Sequence, residues 1–306
     1  MPIPAKNEAV SFQALFDDPT QEPECIIGQG ILPARSLLMI SGQHKQGKTM
    51  FAQNLAIALA SGRSFVGFTI PAVRKVLFLS AEGGYFSARS RIRTMLGGLS
   101  EAERGRVLQN AWLVPDTRVT LDSGDAGKVV RQLIEEHKPE VVFVDPFIKF
   151  HGAKENETSE MAKVLGVLRN IIEDSGVSIV LIHHIGKKVD SESRGSSTIE
   201  AEYDSRIKLC RPTKTEVAKV RSIGGGCKVI KLDFCLRHAE TPDPIHVCLD
   251  STVLWFGKAG VDRASELLAG KDDMSRPQRV KMLTEAGVPR STAQRKVTAF
   301  DKSRGV

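Results

Sequence analysis

From about residue 30 the chain alternates between short, uninterrupted apolar runs and longer stretches of mixed character. The runs SLLMI, KVLFLS, AWLV, EVVFVD and VSIVLIHH predict strands, because each is too short for a helix and rich in branched residues. The stretches FAQNLAIALASG, ARSRIRTML, GKVVRQLIEEH and SEMAKVLGVLRNIIEDSG predict helices, two of them closed by Gly62 and Gly176. Strands without apolar–polar alternation, separated by helices, predict a parallel sheet covered on both faces. After residue 204 the pattern changes. DSRIKLC, TEVAKV, CKVIKLDFCL, PIHVCL and TVLWFG follow one another closely and predict an antiparallel extension of the same sheet. From about 262, RASELLAG, SRPQRVKMLTEAG and RSTAQRKVTAF predict helices. The first 24 residues are polar, with FQALF as their one apolar patch, and predict an arm. The expected class is therefore α/β, divided into an arm at 1–24, a core at 25–260 and a small basic helical segment at 261–306.

Composition narrows this only slightly. No apolar run reaches the roughly 18 residues a membrane span needs, and the N-terminus lacks a basic head followed by an apolar run. The expectation is a cytoplasmic protein without a membrane partner. A net charge of +7 agrees with a polyanionic partner or with plain solubility. The five cysteines, Cys25, Cys210, Cys227, Cys235 and Cys248, form no CxxC pair and read as reduced thiols.

The chemistry begins at SGQHKQGKTM, residues 41–50. Here G-x-x-x-x-G-K-T lies between a predicted strand and a predicted helix, the arrangement in which backbone N–H groups cradle nucleotide phosphates. Gly42, Gln43, His44, Lys45, Gln46, Gly47, Lys48, Thr49 and Met50 are the candidate nucleotide-binding residues. Lys48 would reach the β- and γ-phosphates, and the Thr49 hydroxyl would bind Mg²⁺. Asp145, ending VVFVD 97 residues after Lys48, is the candidate acidic partner of that Mg²⁺. Pro146 follows it, so the base that activates water is not the next residue. Glu82, after KVLFLS, is the candidate base, the alternative being a structural loop carboxylate.

GQHKQGKT, SAEGG, VVFVDPF, VLIHHIGK and RGSSTIEAEYDSRIKL, in this order, resemble the RecA-like ATPases. Within them they resemble the RepA-type hexameric helicases of plasmids and phages, which are AAA-family ATPases. The resemblance covers roughly 25–260. It implies a RecA-like P-loop NTPase core, ATP with Mg²⁺, and a homo-oligomeric, hexameric ring. It places His184 as a sensor of the γ-phosphate and Arg194 beside the nucleotide or a neighbouring subunit. AKVRSIGGG is similar to the K-x-R segment of DnaB-type helicases. That likeness implies Lys219 and Arg221 act in the neighbouring subunit's ATP site, with Arg221 as arginine finger. Arg211 is the rival, since it also ends a predicted strand.

Loops at the strand ends would face the ring's channel. Lys149, Lys154, Lys187 and Lys188 are the candidate contacts to DNA, expected to be single-stranded. Phe147 and Phe150 are the aromatic residues beside them, weak support for base stacking. The C-terminal SRPQRVKMLTEAGVPRSTAQRKVTAF reads as helix, Gly-Val-Pro turn, helix. Ser291 would cap the second helix, with Arg290, Thr292, Arg295 and Lys296 facing outward, and Arg290 and Arg295 as DNA contacts. The alternative is a basic hairpin packed on the core. The leading expectation is an ATP-driven DNA helicase of a plasmid, phage or mobile element. A DNA-binding regulatory or partition ATPase is the second reading, and a small-molecule P-loop kinase the third.

Overall fold

The structure, a computed structural model, describes residues 9–115, 117, 119–122, 127–154, 157–185, 202–223, 228–259, 267–268, 271, 273–285, 288 and 290–304. In chain order the helices are α1 (Phe12–Phe16), α2 (Lys48–Ser61), α3 (Gly84–Gly97), α4 (Glu101–Asn110), α5 (Lys128–His137), α6 (Thr158–Ser175), α7 (Lys214–Ile223), α8 (Arg276–Glu285) and α9 (Arg290–Arg304). The strands are β1 (Leu37–Gly42), β2 (Val76–Ser80), β3 (Ala111–Val114), β4 (Val141–Asp145), β5 (Ser178–His184), β6 (Ser205–Cys210), β7 (Lys228–Leu236), β8 (Ile245–Asp250) and β9 (Trp255–Lys258). Among the described residues no helix is long and apolar enough to cross a membrane.

The strands form one sheet in the order β3-β2-β4-β5-β1-β6-β7-β8-β9. From β3 to β6 every pairing is parallel, and from β6 to β9 every pairing is antiparallel. The uninterrupted apolar runs are explained by the two faces. Leu38, Ile40, Phe78, Phe143, Val180 and Ile182 enter one core with α2 and α4. Their alternating neighbours Leu37, Met39, Leu77, Leu79, Val142, Val144 and Leu181 enter a second core with α5 and α6. Both members of each alternating pair are buried, so the middle of each of these strands is apolar on both faces and polar residues fall at the strand ends. Strand β6, where the pairing turns from parallel to antiparallel, instead buries every second residue. Helix α2 is buried nearly all round and is clasped by β9. The Asn54 side chain donates to Leu254 O at 3.0 Å and accepts from Phe256 N–H at 2.8 Å.

TEVAKV is a helix, α7, and not the expected strand. The reason is local. Thr213 Oγ1 accepts from Glu216 N–H at 3.2 Å, while Glu216 Oε2 accepts from Thr213 N–H at 2.7 Å. This reciprocal pair satisfies two N–H groups at a helix start, which a strand would not need. The same device, Ser100 with Glu103, starts α4, which the apolar pattern does not announce. The reading of all cysteines as reduced is also corrected. Cys248 is disulfide-bonded, whereas Cys25, Cys210 and Cys235 are free and half-buried. An odd count forbids pairing all five but not pairing some.

Asp204 ties three elements together where β6 begins. Its carboxylate accepts from Leu37 N–H at 2.7 Å and from the Arg169 guanidinium at 2.7 and 3.2 Å. Burial alone would raise its pKa, but the Arg169 and Leu37 hydrogen bonds and the Arg169 charge outweigh that and hold it below the usual range. Such a carboxylate stabilises the fold above the unfolded pKa of about 3.9, and that stability is lost as pH falls through the folded value. Asp204→Asn should cost about 1–3 kcal/mol at pH 7, because Arg169 loses its nearest carboxylate and keeps only Glu202. In urea melts the difference from wild type should shrink as pH drops below about 4. An equal difference at pH 7 and pH 3 would show that the charge is not what matters.

Candidate functional site

The parallel strands end on one edge, and the residues following β1, β2, β4 and β5 gather there. In open sheets of this kind ligands bind outside the carboxyl ends of the strands. β1 runs into the loop 42–47 and then into α2. A Cβ on Gly42 would fall 2.7 Å from Gln46 Oε1 and 2.8 Å from Leu209 O, so only glycine fits. Gly47 has φ +92°, and Lys45 before it has φ +62°. Left-handed residues in the loop turn successive N–H groups inward, toward an anion. Gln46 is buried and accepts from Gln43 N–H at 2.8 Å, holding the loop closed on itself. His44 and Lys45 are exposed. The Met50 side chain packs against the core, which leaves its backbone N–H, in the first turn of α2, as the part that can meet a phosphate.

Lys48 is 3% exposed, and its ammonium donates to Gly42 O and Gln43 O, both at 2.8 Å. Burial pushes its pKa down to about 8, against the pull of Asp145 and Glu82. Asp145 is 2% exposed. Burial pushes its pKa up to about 6, against a hydrogen bond from Thr49, with Glu82 adding to the rise and Arg91 and Lys48 opposing it. Its Oδ1 is buried without a hydrogen-bond partner. An orphaned carboxylate oxygen, beside a threonine hydroxyl and a phosphate-type loop, is a fitting place for a hydrated divalent cation.

β5 separates β4 from β1, so the strand directly beside the loop strand carries the two histidines. Gly42 is in register with His184. His184 is half-buried, and its ring lies 5.6 Å from that of His44. Burial and then the Lys48 charge lower its pKa, with Glu82 opposing. It is neutral at pH 7 and can donate one ring N–H. The buried His183 is held down to about 4, first by burial and then by His184, Lys48 and His151. Glu82 follows β2 and is exposed, and its charge is felt at Lys48, Asp145 and His184. Lys48, Thr49, Asp145, Glu82 and His184 thus share one site.

The sequence reading missed Arg91. It stands on α3 behind Glu82, and its guanidinium lies 3.1 Å from where a Gly83 Cβ would be. Its charge acts on Asp145. No motif marks it; the sequence shows only that it lies in a basic helix directly after the candidate base.

Other expected residues lie elsewhere. Lys219 and Arg221 are on helix α7, not on an antiparallel strand, and their side chains lie outside the described residues. Arg211 directly follows β6 and is exposed. Arg194, Lys187 and Lys188 lie outside the described residues. Lys149 and Lys154 are exposed after β4. Phe147 and Phe150 are 0% and 1% exposed, part of the α6-side core, so neither can stack on a base. Helix α9 starts at Arg290, which puts Ser291 inside its first turn and not at the cap. Arg290 and Arg295 are exposed, while Thr292 and Lys296 are half-buried against expectation.

The sequence matches the family described as "AAA domain" over residues 2–190. The chain belongs to this family. Among solved structures it is similar to one described as an "ATPase Domain", with 15% identity and a TM-score of 0.54, covering 73% of this chain and 84% of that one. It is also similar to "The Structure Of A DnaB-Like Replicative Helicase And Its Interactions With Primase", with 14% identity and a TM-score of 0.55. That match covers 74% of this chain and 57% of that one. At such identities the likeness is one of fold. The AAA-family chain is a P-loop ATPase on a RecA-like α/β fold, a mostly parallel sheet with an antiparallel extension.

Proposed function

We propose that this ATPase is a motor that moves on single-stranded DNA as a hexameric ring, with ATP held between subunits. In this reading it serves the replication of a plasmid, phage or other mobile element as a helicase. Its expected organisation is an arm at 1–24, the motor core at 25–260 and a basic helical segment at 261–306. The observation that carries it is the convergence of Lys48, Thr49, Asp145, Glu82 and His184 on one edge of the sheet. The likeness in fold to a DnaB-like replicative helicase supports the choice of track.

Each residue then has a role in phosphoryl transfer. Lys48 exchanges its two loop carbonyls for phosphate oxygens. Thr49 and Asp145 would hold a Mg²⁺, which would supply positive charge against the phosphates. Glu82 takes a proton from the attacking water, and neutral His184 donates to the γ-phosphate or to that water. Lys219 and Arg221 from a neighbouring subunit complete the charge on the far side, and Arg194 contacts the nucleotide or a neighbouring subunit. Lys149, Lys154, Lys187 and Lys188 follow the DNA backbone through phosphate contacts. The basic helical pair at the C-terminus favours a second reading, an ATPase that uses nucleotide to switch assembly on DNA without unwinding it.

The deciding measurement is Mg²⁺-dependent ATPase with and without oligo-dT, alongside strand displacement on a forked duplex. Stimulation together with displacement supports the motor. Hydrolysis without displacement favours the switch, and no DNA effect sinks both. Glu82→Gln keeps the shape of the side chain and removes its basicity. It should bind ATP as wild type does and hydrolyse it about 10²–10⁴-fold more slowly. Unchanged turnover would move the base elsewhere.

A further inference from the structure

Residues 271–306 contain nine Lys/Arg against four Asp/Glu, so they hold five of the chain's seven net positive charges. Their two helices, α8 and α9, are separated by four residues that include Gly287. A helix pair with a connection this short, often containing Gly, is the layout of DNA-reading helix-turn-helix units. The pair has its own interior. Leu283, Val288, Ala293 and Val297 are buried with Leu268 in a cluster separate from both sheet cores. Val288 N–H donates to Leu283 O at 2.9 Å, closing the turn. Buried Arg279 of α8 is ion-paired to Asp301 of α9, and its guanidinium lies 4.9 Å from the Phe300 ring centre. These contacts fix how the two helices cross and bury one cation, while Arg276, near Asp301 and Thr298, and Lys281, near Glu285, keep mostly exposed side chains that can turn to an outside anion.

Three exposed cations of the pair, Arg276, Lys281 and Arg290, gather on one concave side. A groove of about 660 Å³ runs between the helices, with Arg276, Lys281, Thr284, Arg290 and Gln294 among its lining and Glu285 as its one carboxylate. Arg295 is also exposed, outside that lining and about 100° round the helix from Gln294. Arginine and glutamine are the side chains that pair bidentately with guanine and adenine edges in the major groove, while lysine and arginine hold phosphates. An α-helix with its side chains is about 10–12 Å across, which fits a major groove about 12 Å wide, and α9, with 15 residues, would run about 22 Å along it.

We propose that α8 and α9 form a reader of double-stranded DNA, distinct from the single-strand track of the ATPase core. Helix α9 enters the major groove with Arg290, Gln294 and Arg295 at base edges. Arg276 and Lys281 of α8 hold the flanking phosphates. The site gives the ATPase a sequence address, a duplex at which it assembles.

The test uses the full chain without nucleotide and a randomised duplex pool, from which bound DNA is selected and sequenced. One motif should be enriched, and its duplex should bind about 10³-fold or more tightly than a scrambled one at physiological salt. Arg290→Ala with Arg295→Ala should weaken the enriched duplex by roughly 10–100-fold. Gln294→Ala should relax the preference at one position. Oligo-dT affinity, DNA-free ATPase and helix content should stay at wild-type values, which excludes misfolding as the cause. The proposal is overturned if no motif emerges, if the double variant holds the enriched duplex as tightly as wild type, or if it changes only the oligomeric mass, as a contact between copies would. Stimulation of ATPase by oligo-dT is scored separately. Its absence beside a selected motif sinks the motor and leaves the reader standing.

Discussion

Lys48→Ala is expected to cut Mg²⁺-ATP turnover by at least about 10²–10³-fold, with ATP affinity falling alongside it. The argument is one of place. The ammonium is the buried cation of the loop, already bonded to the carbonyls of Gly42 and Gln43. Those two carbonyls line the path where phosphate oxygens would arrive, so the exchange needs only a small movement. Lys45 is the nearest substitute, but it is exposed and its backbone is left-handed, with φ +62°. It stands on the outside of the turn. Nor should the loss be traced to unfolding. Burial depresses the Lys48 pKa to about 8, so its charged form is disfavoured by folding at pH 7. Removing it relieves that cost while losing two hydrogen bonds, and the thermal midpoint should move little. Nucleotide titration by fluorescence, steady-state turnover and a melt, run on the same preparation, separate these outcomes. Near-normal hydrolysis by Lys48→Ala would refute the phosphate-loop assignment.

What the sequence disclosed follows from how strongly each signal was local. The parallel half of the sheet was legible because both faces of β1, β2, β4 and β5 are buried, which leaves runs such as VVFV with no polar interruption. The phosphate loop was legible because close approach demands glycine at 42 and a left-handed turn demands it at 47. Helix α7 was misread because its apolar residues are few and the decisive signal is a capping pair, Thr213 with Glu216, not a period. Phe147 and Phe150 were misplaced for the opposite reason. They stand in a polar loop sequence, yet a 3-10 turn at Phe147–Lys149 folds both rings under it. Arg91 could not be found by motif at all. Only the packing of α3 behind Gly83 brings it to Asp145.

That arginine sharpens the question of where the cation on the γ-phosphate comes from. Two sources compete, Arg91 within the subunit and Arg221 from a neighbour. Both Arg91→Ala and Arg221→Ala should hydrolyse poorly, by about 10³-fold or more for a true finger. Both should still bind ATP through the intact loop. Mixing tells them apart. A Lys48→Ala subunit cannot use its own site, but it carries an intact Arg221 to lend. Beside an Arg221→Ala subunit with an intact loop, it completes a working site, so the mixture should regain activity that neither protein has alone. Arg91 acts inside its own subunit, so a Lys48→Ala neighbour has nothing to give an Arg91→Ala site, and that mixture should stay inactive. Recovery with the Arg221 variant and none with the Arg91 variant is the expected pattern once mixed oligomers are confirmed by mass. No recovery in either mixture would move the trans-acting role to Arg211, exposed where β6 ends.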